Sequence, residues 1–311
     1  MDGAERASPA AGEMLRRFTG HAMGVRVEIT IDEDDEALAR RAAHEGLVEL
    51  ERLDRMLSDW KKDSDLSRLN GSGSPEVEVP PELAALLVRA LEVAAASGGR
   101  FDPTVGPCVA LWRASRETGR APSLEALQDA RARTGWEGVE VLGNTVRRAP
   151  GVMIDFGGIG KGHGAVRALE VLRTAGCPRA MVAVAGDIAA GAAPRGRTAW
   201  TVAIEPEAEG VPRPCVDLVD ACVGTSGGSA QWVEIDGVRR AHIVDPRTGV
   251  GASRLAQATV VGPLDATVDA LGTALALCED DAAAQALLDR FPGHRARLER
   301  AGDARWLASR R

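Results

Sequence analysis

At 311 residues, with 45% hydrophobic and 27% charged side chains, the chain can bury a substantial core as one large α/β domain or two smaller ones. A net charge of −7 and a pI near 5.4 argue against a nucleic-acid partner, and 3% aromatics with no Tyr leave no base-stacking platform. No stretch reaches transmembrane length. The five cysteines (Cys108, Cys177, Cys215, Cys222, Cys278) are scattered without a C-x-x-C pair or zinc spacing, which predicts small buried thiols kept reduced in a cytoplasm.

Residues 2–13 are small and polar and read as a loose tail, drawn here through residue 17; residues 18–311 read as one domain. Arg16-Arg17-Phe18 does not read as a twin-arginine export signal, because Arg26, Glu28 and Asp32 interrupt the only apolar candidate; the pair reads as a solvated basic patch. Val25, Val27, Ile29 and Ile31 alternate with polar residues, the period of a half-buried strand. Ala43, Leu47, Leu50, Leu53 and Leu57 follow at helical spacing and run into Ser58-Asp59-Trp60. A second helix opens at Pro80-Pro81-Glu82 and is closed by Gly98-Gly99, after which Phe101-Asp102-Pro103-Thr104 reads as a loop. Val139–Leu142 and Thr145–Arg148 flank Gly143-Asn144, a hairpin signal.

Ala165–Ala175 reads as a helix ending at Gly176, and Ala180–Val184 and Trp200–Ile204 as strands. Pro206–Pro214 reads as a surface loop. Trp232–Ile235 and Val238–His242 flank Asp236-Gly237, a strong hairpin cue. Ala258–Val261 reads as a strand, Asp265–Leu277 and Asp281–Arg290 as helices, and Ala296–Trp306 as a strand pair around Ala301-Gly302. Strands in hairpins and helices in pairs predict an α+β fold, a single large domain with antiparallel hairpins, rather than a doubly wound parallel sheet.

Two stretches carry chemistry. Asp155-Phe156-Gly157-Gly158-Ile159-Gly160-Lys161-Gly162 places a carboxylate, a nearly bare backbone and one lysine together after Val152, Met153 and Ile154. Glycines let main chain approach a ligand closely, and a lysine there suggests an anionic group such as phosphate. It is no P-loop, since Asp155 and Gly162 stand where Gly and Ser or Thr belong; nor is it a dinucleotide fingerprint, since His163 stands at the third glycine. A Gly-rich turn with a solvated Lys161 is the plainer alternative. The second stretch, His242-Ile243-Val244-Asp245-Pro246-Arg247-Thr248-Gly249, puts a histidine at a strand end before a polar turn. Asp269 and Thr273 lie four apart, on one helix face; with a main-chain carbonyl they make a hard-oxygen set suited to Mg²⁺, though such a pair also reads as surface or capping residues.

Six segments stand in one order: Ser58–Trp60 with Ser64–Asn70, Gly99–Pro107, Asp155–Gly162, Thr225-Ser226-Gly227, His242–Gly249 and Asp269–Ala274. From about Phe18 to about Leu277 the chain resembles the ApbE family, the FAD:protein FMN transferases, and the resemblance implies their α/β, T-fold-like architecture. It implies that Met23 and Trp60 line the flavin end of an FAD pocket and that Arg100, Phe101 and Asp102 contact the cofactor. Asp155 and Lys161 would bind FAD, with Lys161 near the pyrophosphate, and Ile243 would contact it through its backbone. The carbonyl of Gly158 would join Asp269 and Thr273 around Mg²⁺. His242 would lie near the reacting phosphorus as the base, helped or replaced by Asp245.

The implied reaction moves FMN from FAD to a Thr or Ser hydroxyl of an acceptor flavoprotein and releases AMP. An Mg²⁺-dependent FAD pyrophosphatase or a non-catalytic FAD-binding protein are the alternatives. The sequence departs from the family pattern at Val25, Arg100, Val166, Ala185 and Gly228, none of which removes an implied metal ligand or Lys161.

Overall fold

A computed structural model describes residues 15–206, 213–227, 232–235, 237–241, 243–252, 255–300 and 303–310. The first strands, β1 (Leu15–Ala22) and β2 (Val25–Asp32), form a hairpin whose two turn residues, Met23 and Gly24, both take positive φ (53° and 73°). Two positive-φ residues between paired strands match the right-handed strand twist. Leu15, Arg16 and Arg17, read as tail and solvated patch, belong to this hairpin. Arg16 donates to the carbonyls of Glu33 and Asp34 at 2.9 Å and only Arg17 is solvated.

Helix α1 (Glu36–Leu57) is capped by Asp35, whose carboxylate accepts from the N–H groups of Ala37 and Leu38, and buries Leu50, Leu53 and Leu57. Next come α2 (Asp65–Gly71), β3 (Glu76–Glu78) and α3 (Pro81–Ser97), which ends at Gly98 in the left-handed region. Helices α4 (Gly106–Thr118) and α5 (Leu124–Ala132) follow, two elements beyond those expected from the sequence. The β4 (Val139–Leu142) and β5 (Thr145–Arg148) hairpin stands where Gly143-Asn144 placed it. Helix α6 (Gly160–Thr174) starts five residues before Ala165, inside the Gly-rich run.

The rest of the chain contributes β6 (Ala180–Val184), β7 (Asp187–Ala190), β8 (Trp200–Ala203), β9 (Cys215–Leu218), β10 (Ala221–Ser226), β11 (Trp232–Ile235) and β12 (Val238–Ala241). It ends with β13 (Val244–Asp245), β14 (Val250–Gly251), β15 (Gln257–Pro263), α7 (Thr267–Ala276), α8 (Asp281–Leu288), β16 (Arg295–Arg300) and β17 (Asp303–Ala308). Residues 207–212 of the expected surface loop, His242 and the turn at Ala301-Gly302 lie outside the described residues.

Eight strands form one wholly antiparallel sheet in the order β1-β2-β6-β7-β10-β15-β16-β17. Helices α1, α6 and α7 cover one face. There Val27, Ile29, Ile31, Val182, Val184 and Val260 pack against Leu50, Leu169, Leu172 and Leu271, all fully buried. Each such side chain contributes about 1.5–3 kcal/mol relative to exposure. The β8–β9 hairpin covers part of the other face, with Trp200 and Leu218 on Val223 and Val261. This is the expected α+β architecture. Its strand order has a cost: β2 lies beside β6 although about 150 residues separate them.

Candidate active site

The β1–β2 turn, the β6–β7 turn, the end of β10 and the start of β15 all lie at one end of the sheet, beside the first turn of α6. Between them opens a cleft of about 1060 Å³. Met23, Trp60, Arg100, Phe101, Asp102, Asp155, Gly158, Lys161, Ile243, Asp269 and Thr273 all line it. The sequence scatters these residues over 250 positions, and the fold gathers them into one wall.

The glycine run makes that wall possible. A Cβ on Gly162 would lie 2.7 Å from Cβ of Asp269, and one on Gly158 would lie 3.2 Å from both Thr273 Oγ1 and a ring carbon of Phe101. The missing side chains let α6 and the loop before it close on α7 and on the Phe101 loop. Asp269 then accepts from the Gly162 N–H at 3.0 Å, capping the first turn of α6 from 107 residues away. The glycines are there as much for packing as for a ligand.

Lys161, on that same first turn, lies 2.9 Å from Asp187 Oδ2 and 3.5 Å from Asp269 Oδ2. Burial by itself would lower its pKa, but the carboxylates of Asp269 and Asp187 overcome this and hold the ammonium above the ordinary lysine value. Burial, followed by the like charge of Asp269, pushes the Asp187 carboxyl well above its usual range against the pull of Lys161. Two buried carboxylates thus share one ammonium, leaving negative charge that a cation would relieve.

Among the described residues no three His, Cys, Asp or Glu side chains are grouped for a metal. A cation here would depend on mixed oxygens: the Asp269 carboxylate, the Thr273 hydroxyl and the main chain of Gly158, which the absent Cβ leaves packed against that hydroxyl. Ser226 Oγ is 3.4 Å from Thr273 Oγ1. The donor set and its charge deficit fit a hard divalent ion.

Trp60, also on the cleft wall, is 69% exposed, and the Arg113 guanidinium lies 4.0 Å over its ring. Arg113 pairs with Asp59 and reaches within 3.9 Å of Asp155. Burial, with Asp59 nearby, raises the Asp155 carboxyl above its ordinary value, although it accepts the Gly157 N–H at 2.6 Å. Asp102 accepts from Thr104 N–H, Thr104 Oγ1 and Trp136 N–H, so its buried carboxylate holds the Phe101 loop in shape. Arg100 pairs with Glu279 at 2.7 Å. Glu279 also pairs with Arg247, which clamps Asp245 through both carboxylate oxygens at 2.8 and 3.0 Å.

Ile243 is buried against the cleft. His242 and Gly228 lie outside the described residues. Of the other departures, Val25 lines the cleft, Val166 is buried on α6, and Ala185 takes φ 52° at the β6–β7 turn. Sequence pattern alone does not mark Asp187 or Arg113 as site residues. Asp187 follows the Ala185-Gly186 turn and gains meaning only from Lys161 across the sheet end; Arg113 sits on the unexpected α4.

The ApbE family model matches residues 23–298. The FAD:protein FMN transferase of Treponema pallidum (strain Nichols) is 33% identical over 272 residues, covering 81% of this chain and 75% of that protein. The FAD:protein FMN transferase of Klebsiella pneumoniae (strain 342) is 28% identical over 295 residues, 91% and 84% of the two. The crystal structure of the ApbE protein from Thermotoga maritima superposes with a TM-score of 0.85 at 27% identity, covering 96% of this chain and 97% of that one. A sheet-end cleft with these side chains, on this scaffold and with relatives across most of its length, places the chain in the ApbE family.

Proposed function

We propose that this chain is an FAD:protein FMN transferase, moving FMN from FAD to a Thr or Ser hydroxyl of an acceptor flavoprotein with the help of Mg²⁺. The observation that carries the reading is the convergence of Lys161, Asp187, Asp269, Thr273 and Gly158 at the floor of the cleft. Relatives named for this activity align over that whole region.

FAD would lie along the sheet end, its flavin towards Met23 and Trp60 and its pyrophosphate at Lys161. The acceptor oxygen attacks the phosphorus of the FMN half. A new P–O bond forms, the bond to the bridging oxygen breaks, and AMP leaves with that oxygen. Lys161, kept charged by its two carboxylates, neutralises charge on the departing phosphate. Asp269, Thr273 and the Gly158 carbonyl would hold Mg²⁺, which supplies Lewis-acid neutralisation of the pyrophosphate.

The hydroxyl proton goes to His242. Asp245, with both oxygens on Arg247, is assigned the role of fixing the turn that follows His242. Asp155 and Arg113 frame the Trp60 end of the pocket, and Phe101 backs Gly158.

The test is to incubate the protein with FAD, Mg²⁺ and a soluble extract of its source cells lacking the gene. Covalent flavin should then appear as fluorescence that survives denaturing electrophoresis, with stoichiometric AMP. AMP without covalent flavin makes the protein a pyrophosphatase, and FAD binding without AMP makes it a carrier.

A further inference from the structure

The start of β15 carries a side-chain oxygen with no donor among the described residues. Gln257 is 5% exposed and lines the cleft, yet its Oε1 is enclosed and accepts no hydrogen bond among the described residues. Buried side-chain amides in folded proteins almost always find partners, because an enclosed acceptor without a donor opposes folding. Such a group persists where function needs it.

Its place narrows what it meets. The β10–β15 register pairs Ser226 with Ala258, so Gln257 stands opposite Gly227, and a Cβ on Gly227 would lie 3.3 Å from Gln257 Cγ. Ser226 in turn touches the Thr273 hydroxyl. Gln257 therefore sits beside the metal-ligand end of the cleft. The Met23 turn is four strands away across the sheet, roughly 19 Å at the usual strand spacing. With FAD placed as proposed above, a donor that reaches Gln257 belongs to what enters beside the reacting phosphate rather than to the flavin ring.

We propose that Gln257 is a substrate-binding residue whose side-chain amide, which lines the cleft, turns on binding so that Oε1, enclosed in the free protein, accepts a hydrogen bond from the acceptor protein, from the attacking hydroxyl or a main-chain N–H next to it. This rests on the transferase reading above. The amide is too weak a base to take the proton; it holds the incoming segment so that the oxygen faces phosphorus.

The test compares wild type with Gln257→Leu, which keeps the bulk and removes the polar end. Four quantities are measured: thermal midpoint, FAD affinity, AMP release with FAD alone, and the flavinylation rate of the natural acceptor in the deletion extract. We expect an equal or higher midpoint, since an unsatisfied polar group is gone, and FAD affinity and background AMP release within about twofold. Flavinylation should fall about tenfold, the equivalent of about 1.4 kcal/mol.

A lowered midpoint with normal flavinylation would make Gln257 a structural residue and overturn the proposal. Weakened FAD binding with a proportional loss of transfer would assign the hydrogen bond to FAD and overturn it equally. If the leucine variant does not fold, Gln257→Met takes its place under the same criteria. Absence of flavinylation by the wild type would instead count against the transferase reading itself.

Discussion

Replacing Lys161 by Met would keep the stem against the cleft wall and remove the one ammonium between Asp187 and Asp269. Its nitrogen is 2.9 and 3.5 Å from those carboxylates, which are 5% and 3% exposed. Removing one partner of such a group costs about 3–5 kcal/mol, because the other charge stays buried and uncompensated. The loss depends on pH. Burial and Asp269 already hold the folded-state pKa of Asp187 above its unfolded value, and removing Lys161 takes away the group that pulls it down.

A carboxyl whose pKa is raised on folding binds more protons folded than unfolded, so stability falls as pH rises from about 4 through the folded value. The deficit of Lys161→Met should therefore be small at pH 5 and larger at pH 8, read by urea denaturation at both pH values. Single-turnover AMP release should fall by about 10²–10³, the usual loss for a preorganised charge facing a developing anion. A deficit that does not grow with pH, or turnover within tenfold of wild type, would refute the account of Lys161.

Gly162→Ala should push α6 off α7, since its Cβ would meet that of Asp269 at 2.7 Å; about 1–3 kcal/mol of stability should go, with Mg²⁺-dependent activity lost even in protein that stays folded. His242→Ala should cost about 10²–10⁴ in rate while an FAD titration stays unchanged, and a folded variant above a tenth of the wild-type rate would move the base elsewhere. Glu82, hydrogen-bonded to His163 and Arg52, has its carboxyl lowered to about 2. Its stabilising contribution is complete above the unfolded value near 4.3 and disappears as pH falls through about 2. Glu82→Gln should thus cost about 1–2 kcal/mol at pH 7 after allowance for solvent screening, and nothing near pH 2, by denaturant titration.

Where local pattern decides structure, the sequence was readable. The alternation of β2, the leucine stripe of α1, the Gly98 stop of α3 and the Gly143-Asn144 turn all stand as expected. Helix α4 escaped because its buried face is thin: Cys108, Trp112 and Ser115 follow Gly106-Pro107, a pair that reads as turn although it opens the helix, and its packing comes from α5 and the Val250 turn. The first turn of α6 escaped because glycines read as a loop, whereas a carboxylate 107 residues away caps it. Site residues that reach the cleft from signature segments could be named in advance. Asp187 and Gln257 could not, since Asp187 depends on Lys161 of α6 and Gln257 on its place opposite Gly227, neighbours that only the tertiary fold supplies.

The pairing of β2 with β6 also has a history in time. During synthesis at about 5–20 residues per second, β2 waits roughly 8–30 s for its neighbour to leave the ribosome. Through that interval the β1–β2 hairpin shows an apolar face and an open edge, the kind of surface that recruits other chains. Helix α1 is complete within that interval and can shield the face early, but the edge stays bare until residue 184 is made. Substitutions in β2 or at the tip of its turn should therefore weigh more on the yield of newly made chains than on the endurance of finished ones.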